Sequence, residues 1–315
     1  MEENFSSPLP EELEGALETL KEKEVYVTGG TLYVVATPIG RVVDITVRAI
    51  KVLEGVDLIA AEDTRRSYIL LNILGLRKEV ISNQKFNEHR KTEIFISALR
   101  DGRSVAVISD AGTPCISDPG NELIRRALEE GFPVVPVPGA CAAVSGVSAS
   151  GFDLTSFLFC GFFPKENTEK KEELKRLQSG VTRTFIYYES PKRILKTIGF
   201  LAEKLPQASL CLCNDLTKTH ERFYRGCPAD VLAELNANPN AEKGEFTLII
   251  EVPAAEAKEE EPSLPHSPEA ALVEEMLNGA PTLRDAMTAL LEKDSPFKKN
   301  DLKAASIRLK NLFQA

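Results

Sequence analysis

Between residues 31 and 150, short apolar runs rich in β-branched residues alternate with stretches of helical spacing. The apolar runs are continuous, which is typical of strands in a parallel sheet that is covered on both faces. Parallel neighbours need a crossover of a dozen or more residues, and the helical stretches supply it. We therefore predict an α/β domain here. Its predicted strands are TLYVVAT, VDLIAAE, EVISN, SVAVIS and PVVPV.

A second pattern follows Gly151. Strand-like runs recur at TRTFIYYES, ASLCLCND, THERFYRG and EFTLIIEV, and helical spacing covers 191–204 and 228–236. These runs predict a second α/β domain, and a later Pro/Glu-rich stretch is typical of a flexible linker. The predicted organisation is an acidic N-terminal extension (1–30), two α/β domains (31–150 and 151–253), a linker (254–268) and a small helical C-terminal unit (269–315).

The composition indicates a soluble protein. With 315 residues, 43% of them hydrophobic, the chain is long enough for two ordinary cores. Its apolar runs are too short to span a membrane, and its first residues lack the basic and apolar regions of a secretory leader. Six scattered cysteines without a CxxC pair indicate reduced thiols and no zinc site. We expect a cytoplasmic protein that binds neither metal nor membrane.

The net charge of −9 argues against a nucleic-acid partner only at first sight. The acidic excess is concentrated in 1–30 and 251–275, and the rest of the chain is slightly basic. Because the distribution of charge matters more than its total, RNA binding stays open.

Three strand-terminal loops free of bulky side chains are the candidate ligand site: TPIG (37–40), SDAGTP (109–114) and VPGACAA (137–143). Neither a GxGxxG nor a GxxxxGK[ST] motif is present. Each loop alone is equally explained as a tight turn, but loops at the carboxyl ends of parallel strands line the ligand crevice. Backbone amides and carboxylates without a phosphate-binding lysine suit a ligand that carries ammonium, carboxylate and hydroxyl groups. S-adenosylmethionine is such a ligand.

Several motifs occur in a familiar order and spacing: LYVVATPIG, VDLIAAEDTRRS, VISDAGTPCISDPG, VVPVPGACAAVSGVSASG, FCGFFP, YYESPKRI, LTKTHE and KGEFTLIIE. Over roughly 31–252 the chain resembles the ribosomal RNA small subunit methyltransferase I family, whose members are cytidine 2′-O-ribose methyltransferases of the tetrapyrrole methylase fold. The resemblance implies two α/β domains with an S-adenosylmethionine cleft between them, plus a short C-terminal helical unit. The implied cofactor-binding residues are Pro38, Asp110, Gly112, Thr113, Pro114, Cys141, Ala142, Tyr188 and Leu216.

The same resemblance implies a function and partners. It predicts 2′-O-ribose methylation of a cytidine in small-subunit (16S) ribosomal RNA, within the assembled 30S subunit, by a homodimer. Two alternatives stay open at this point. One is a methyltransferase of the same fold that acts on a tetrapyrrole or a protein side chain, and the other is a catalytically inactive cofactor- or RNA-binding protein.

Methyl transfer to a ribose hydroxyl needs a group that removes the proton as the new bond forms. Glu62 and Asp63, at the end of a predicted strand, are the candidate catalytic carboxylates, although Asp63 is equally explained as the N-cap of the next helix. Basic residues near strand ends are candidates for gripping RNA phosphates. These are Arg65, Arg66, Lys192, Arg193 and Lys218.

The chain departs from the family pattern at three places. Arg41 stands where the family usually has Asn, residues 83–88 replace a His-acid-His cluster, and Asn214 and Asp215 replace an Arg-Glu pair. If the missing histidines position substrate in the family, this chain positions it differently.

Overall fold

The computed structural model describes residues 27–83, 88–253, 267–292 and 297–312. The acidic extension before Val27 and most of the predicted linker lie outside this part of the chain. The chain forms two compact units, Met1–Ala254 and Ala255–Ala315. None of the helices in the described ranges is long and apolar enough to cross a membrane.

The first half of the larger unit is a parallel sheet with strand order β3-β2-β4-β1-β5. Its elements are β1 (Leu32–Val35), α1 (Val47–Gly55), β2 (Leu58–Ala61), α2 (Thr64–Ile73), β3 (Val80–Ser82), α3 (Glu88–Arg100), β4 (Val105–Ile108), α4 (Asn121–Glu129), β5 (Val134–Val137) and α5 (Ala142–Ser148). Both faces of the sheet carry a buried apolar cluster. The predicted strands and the parallel sheet are thus found in the structure, because continuous apolar runs bury both of their faces.

The second half is a mixed sheet with strand order β6-β7-β10-β8-β9. Its elements are β6 (Phe157–Phe162), α6 (Asn167–Leu177), β7 (Thr184–Glu189), α7 (Ile194–Lys204), β8 (Ser209–Asn214), β9 (Arg222–Gly226), α8 (Pro228–Ala237) and β10 (Phe246–Glu251). β6 and β7 pair in parallel, and the other neighbours pair antiparallel. The four second-half strands predicted from the sequence correspond to β7, β8, β9 and β10.

Helix α5 packs against the second sheet, where its small residues allow close approach. A Cβ built on Gly146 would lie 3.2 Å from Cγ2 of Thr247 on β10 and 3.3 Å from Sγ of Cys213 on β8. Ala143 and Val147 of α5 share a buried cluster with Ile186 of β7. This helix thus packs on the sheet that follows it in the chain.

The smaller unit contains three helices, α9 (Pro268–Leu277), α10 (Leu283–Glu292) and α11 (Lys299–Leu312). The side chain of Ser267 caps α9 by accepting a hydrogen bond from the N–H of Ala270 at 3.1 Å. The three helices bury a common apolar core. Its buried members are Ala271, Leu272, Ala286, Leu290, Leu302, Ala305 and Leu309. The boundaries predicted for the domains remain predictions.

A buried ion pair lies at the end of β7. The Glu189 side chain is 0% exposed and accepts hydrogen bonds from the Arg193 guanidinium, the Thr197 hydroxyl and the N–H of Ser190. Arg193 also donates to the carbonyl of Phe163 at 2.9 Å. Removing one partner of such a pair is costly because the other charge is left buried without compensation.

We predict that Arg193→Ala lowers the free energy of unfolding by about 3–5 kcal/mol, since the buried Glu189 carboxylate loses its cation. The neighbouring exposed residue supplies the control, and Lys192→Ala should change stability by about 0.5 kcal/mol or less. Urea unfolding at pH 7.5 measures both values. Equal effects of the two substitutions would contradict this account of the ion pair.

Candidate active site

The three glycine- and proline-containing loops meet at the carboxyl edge of the first sheet. Thr37 and Gly112 form an isolated β-bridge, with N–H to carbonyl distances of 2.9 and 3.0 Å in the two directions. The Thr113 hydroxyl donates to the carbonyl of Ala140 at 3.0 Å. The loop after β4, the central one of the three in the chain, is thus bound to the loop after β1 by two backbone hydrogen bonds and to the loop after β5 by a side-chain hydrogen bond. The structure brings together the segments that contain Pro38, Asp110–Pro114 and Cys141–Ala142.

Two carboxylates bind the loop after β2 to the loop after β4. The N–H of Asp63 donates to Oδ1 of Asp110 at 3.0 Å, and the N–H of Asp110 donates to Oε2 of Glu62 at 3.3 Å. Nη1 of Arg66 lies 3.4 Å from Oδ2 of Asp110. Each loop thus accepts a hydrogen bond from the backbone of the other. This reciprocal arrangement holds the site's acidic residues in register.

Asp63 is the N-cap of α2, which is the alternative interpretation that the sequence allowed for this residue. Its carboxylate accepts hydrogen bonds from the N–H, Nε and Nη2 of Arg65 at 2.9, 3.1 and 2.6 Å. These bonds lower the pKa of Asp63 to about 2. A carboxylate so well satisfied is a weak base. The catalytic role expected of Asp63 stays a prediction, and this geometry disfavours it.

The other carboxyl groups of the site have raised pKa values. Burial is the main cause for Glu62 and Asp110, and each is further raised by a neighbouring carboxylate. Burial together with the charges of Glu62 and Asp110 raises the pKa of Asp118 to about 6, in opposition to a hydrogen bond from the Ser109 hydroxyl. Negative charge is therefore concentrated where the three loops meet. A cationic group is the ligand that such a site favours.

The second sheet closes the site from the other side. The N–H of Ala143, in the first turn of α5, donates to the hydroxyl of Tyr188 at 3.3 Å. The Tyr188 ring packs edge-on against Phe159, with ring centroids 5.0 Å apart. Leu216 and Tyr188 share an apolar cluster with Cys141 and Ala142. The two second-half residues expected at the cofactor site thus lie against the loop that opens α5.

A contact that the sequence did not reveal joins the first loop to the second half. The N–H of Arg41 donates to Oγ1 of Thr217 at 3.2 Å, and a Cβ built on Gly40 would lie 2.5 Å from the same oxygen. Thr217 has a φ of +65°, which side chains rarely adopt. Only glycine at position 40 leaves room for this hydroxyl.

Asn83 is a further residue that the motifs did not assign. It is 2% exposed, and neither its Nδ2 nor its Oδ1 has a hydrogen-bond partner among the residues that the structure describes. Its N–H donates to the carbonyl of Ala61 at 2.7 Å, which extends the β2–β3 ladder and places it beside Glu62. A buried polar group without a partner costs about 1–3 kcal/mol, so such groups often mark functional positions.

The five residues expected to bind RNA lie in different environments. Arg65 and Arg66 are exposed next to the carboxylates, and Lys192 is exposed beyond β7. Arg193 is committed to Glu189, and Lys218 bonds to Asp215 and Glu245 at 2.8 and 2.7 Å. The contacts inside the protein account for Arg193 and Lys218 without RNA. Their RNA-binding roles stay predictions, which the geometry favours most for the first three residues.

A cavity of about 910 Å³ lies elsewhere, near the amino ends of the first sheet's strands, and is lined by Leu58, Ile81, Ile94 and Arg103 among others. It contains none of the predicted site residues. Within the described ranges, no group of three or more His, Cys, Asp or Glu side chains is placed to hold a metal ion.

Comparison with known proteins identifies the class. The family model of the tetrapyrrole (corrin/porphyrin) methylases matches residues 31–231. The solved structure of a diphthine synthase has the same fold with a TM-score of 0.55 and 11% identity, over 70% of this chain and 90% of that one. The two sheets and the loops at the carboxyl edge are thus those of a tetrapyrrole-type methylase.

Closer relatives give the particular family. The ribosomal RNA small subunit methyltransferase I of Pasteurella multocida is 40% identical over 87% of this chain and 95% of its own length. That of Haemophilus influenzae is 43% identical over 70% of this chain and 78% of its own length. The chain therefore belongs to the ribosomal RNA small subunit methyltransferase I family of the tetrapyrrole methylases. The fold and the family predicted from the sequence are confirmed.

We predict that Asp110→Ala lowers the free energy of unfolding by about 1–3 kcal/mol, since the N–H of Asp63 loses its acceptor. Asp110→Asn keeps an oxygen at that position. It also removes the negative charge of a carboxylate that is unfavourably buried, as the raised pKa of Asp110 indicates. It should therefore cost less than the alanine variant. Urea unfolding of the two variants at pH 7.5 makes the comparison, and an equal loss would show that the Asp63 bond adds nothing.

Proposed function

We propose that the protein transfers a methyl group from S-adenosylmethionine to the ribose 2′-oxygen of a cytidine in small-subunit ribosomal RNA. The observation that carries the proposal is the convergence of three strand-end loops with the Glu62, Asp110 and Asp118 carboxylates and, from the second half, Tyr188 and Leu216. Membership of a family whose relatives are named as ribosomal RNA small subunit methyltransferases supports the acceptor.

The residues of the site fit this methyl donor. Gly112 has a φ of +82°, and a Cβ there would lie 3.2 Å from Ile39 and 3.6 Å from the carbonyl of Ala140. A side chain at this position would therefore be strained and crowded against the neighbouring loops, so glycine allows the close packing of the loops that form the site. The site's carboxylates suit the ammonium and hydroxyl groups of the donor, and the apolar cluster around Leu216 suits its adenine ring. In this proposal the donor is held by Pro38, Asp110, Gly112, Thr113, Pro114, Cys141, Ala142, Tyr188 and Leu216.

The chain's own part in the reaction is alignment, desolvation and proton removal. The bound donor supplies a methyl carbon already activated by a positively charged sulfur, so no nucleophilic side chain is needed. The ribose hydroxyl is a weak nucleophile, and a carboxylate near it must take its proton. Glu62, which is partly buried at the end of β2, lies in the cluster from which such a base comes.

The proposed RNA-binding surface begins at the first turn of α2. Arg65 and Arg66 present their guanidinium groups to solvent while Asp63 and Asp110 hold them at the edge of the carboxylate cluster. Such groups grip RNA phosphates and position the chain that enters the site. Lys192, and to a lesser extent Arg193 and Lys218, extend this surface from the second half. The assembled 30S subunit as substrate, a homodimer and a cytoplasmic location stay predictions.

The direct test is transfer of labelled methyl from S-adenosylmethionine to small ribosomal subunits from a strain that lacks the protein. Nuclease mapping of the product should find the label on the ribose of a cytidine. Large subunits serve as the control acceptor and should stay unlabelled. Label on a base, on a ribosomal protein or on neither subunit would contradict the proposal.

We predict that Gly112→Ala weakens the binding of S-adenosylhomocysteine roughly tenfold, since forcing a side chain into a left-handed conformation costs about 1–2 kcal/mol and distorts the loop. Gly102→Ala is the matched control because Gly102 has a similar φ, +79°, but nothing within 4 Å of its Cβ position. Titration calorimetry measures both affinities. Equal affinities for the two variants would remove Gly112 from the cofactor site.

A further inference from the structure

The proposed reaction needs a proton acceptor, and the site contains four carboxyl groups from which to choose. Three of them have committed oxygens. Asp63 caps α2 and binds Arg65, Asp110 accepts from the N–H of Asp63 and faces Arg66, and Glu62 accepts from the N–H of Asp110. In each of these groups a backbone N–H or a guanidinium holds at least one oxygen.

Asp118 differs from the other three. It is half-buried on the loop between β4 and α4 and accepts a hydrogen bond from the Ser109 hydroxyl. In the described part of the chain, no backbone N–H or arginine is bound to its carboxylate. Its one hydrogen-bond donor in the described ranges is a rotatable hydroxyl and not a fixed backbone or guanidinium group, so this carboxylate can turn towards a substrate and accept a hydrogen bond from it.

The position of Asp118 is determined by an unusual backbone. Ser117, directly before it, has a φ of +80°, and Gly120 has a φ of +126°. A Cβ on Gly120 would lie 2.9 Å from Sγ of Cys115. Strained conformations of this kind persist where the surrounding structure over-determines them, and they cluster at functional sites.

Charged and titratable groups face Asp118 from both halves of the larger unit. Glu62 and Asp110 act on it from the loops after β2 and β4, and Asp118 in turn acts on the hydroxyl of Tyr188 on β7. Asp118 thus interacts electrostatically with groups of both sheets, among them Asp110 and Tyr188, two of the residues predicted to hold the methyl donor.

Asn83 gives an independent indication that a polar ligand group enters this cluster. Ala60 of β2 and Ile81 of β3 face the same apolar cluster, so strand alternation places Glu62 and Asn83 on that face as well. The Asn83 amide is almost completely buried and has no hydrogen-bond partner in the described ranges. A hydrogen-bonding group supplied by the substrate would satisfy it.

We propose that Asp118 is the catalytic base that removes the proton from the acceptor hydroxyl. This inference rests on the proposed function. The hydroxyl oxygen forms a bond to the methyl carbon as the carbon–sulfur bond breaks, and the electron pair of that bond stays on sulfur. The proton passes to an oxygen of Asp118 and then to solvent. A base works best when its pKa lies near the working pH, and the Asp118 pKa of about 6 meets this condition better than the Asp63 pKa of about 2.

The sign of the pH dependence follows from the active form. Asp118 must be ionised to accept a proton, so activity is present above its folded-state pKa of about 6 and lost as the pH falls through it. The same raised pKa opposes folding at neutral pH, because the unfolded chain ionises more readily. Stability contributed by this group therefore increases as the pH falls from about 6 towards 4, in the direction opposite to activity.

The test compares Asp118→Asn with the wild type in methyl transfer to small ribosomal subunits between pH 5 and pH 8.5. We expect the rate at pH 7.5 to fall about 100-fold or more, with loss of the acidic limb of the profile. Affinity for S-adenosylhomocysteine and for the subunit should change less than about threefold, because the variant keeps the shape of the side chain. Asp101→Asn, in an exposed turn after α3, is the control and should match the wild type.

A measurement without substrate accompanies the kinetics. Carbon-13 NMR of the carboxyl groups should show one resonance that titrates near pH 6 and is absent from Asp118→Asn. Urea unfolding should show the variant at least as stable as the wild type at pH 7.5, which separates lost chemistry from lost folding.

The outcomes are distinct. An active Asp118→Asn with an unchanged pH profile overturns the inference while the proposed function stands, and loss of the acidic limb in Asp63→Asn instead assigns the base to Asp63. A wild type that binds S-adenosylhomocysteine but labels no ribosomal RNA overturns the proposed function, and this inference with it.

Discussion

The close packing of α5 on the second sheet is the contact on which the rest of the site depends. Gly146 has no side chain, so the helix lies within van der Waals distance of Cys213 and Thr247. The loop that opens this helix is bound to the central loop through Thr113, and its first turn is bound to Tyr188. The halves of the larger unit thus meet where the site forms. A larger residue at position 146 would push α5 away from the second sheet and so separate the two halves of the site.

At this meeting point the protein concentrates negative charge that is unfavourable for folding. Glu62, Asp110 and Asp118 are partly buried near one another, and burial raises the pKa of each. Hydrogen bonds between the loops offset part of this cost, and Asn83, whose buried amide has no partner among the described residues, adds to it. Features that weaken the fold without stabilising it elsewhere are expected at functional sites.

The sequence predicted much of this molecule because its strongest signals are local. Continuous apolar runs indicate buried parallel strands whatever lies around them, and the loops that follow them must share one edge of the sheet. Asp63 shows the limit of such signals, since one residue in one motif is compatible with a cap and with a base. The hydrogen bonds from Arg65 favour the cap. Arg193 is similar, because its partner Glu189 is recognisable only once β7 and α7 are packed.

The sequence by itself predicted nine of the ten described strands, the loops that follow three of them and the family, since each of these depends on residues close together in the chain. The tertiary structure decided which sheet α5 packs on, which carboxylates share hydrogen bonds and which stay available, and that Thr217 fills the space beside Gly40. These features join residues that are tens to hundreds of positions apart. The burial and charge that set the chemistry of Asp118 arise only when such distant segments exclude water together.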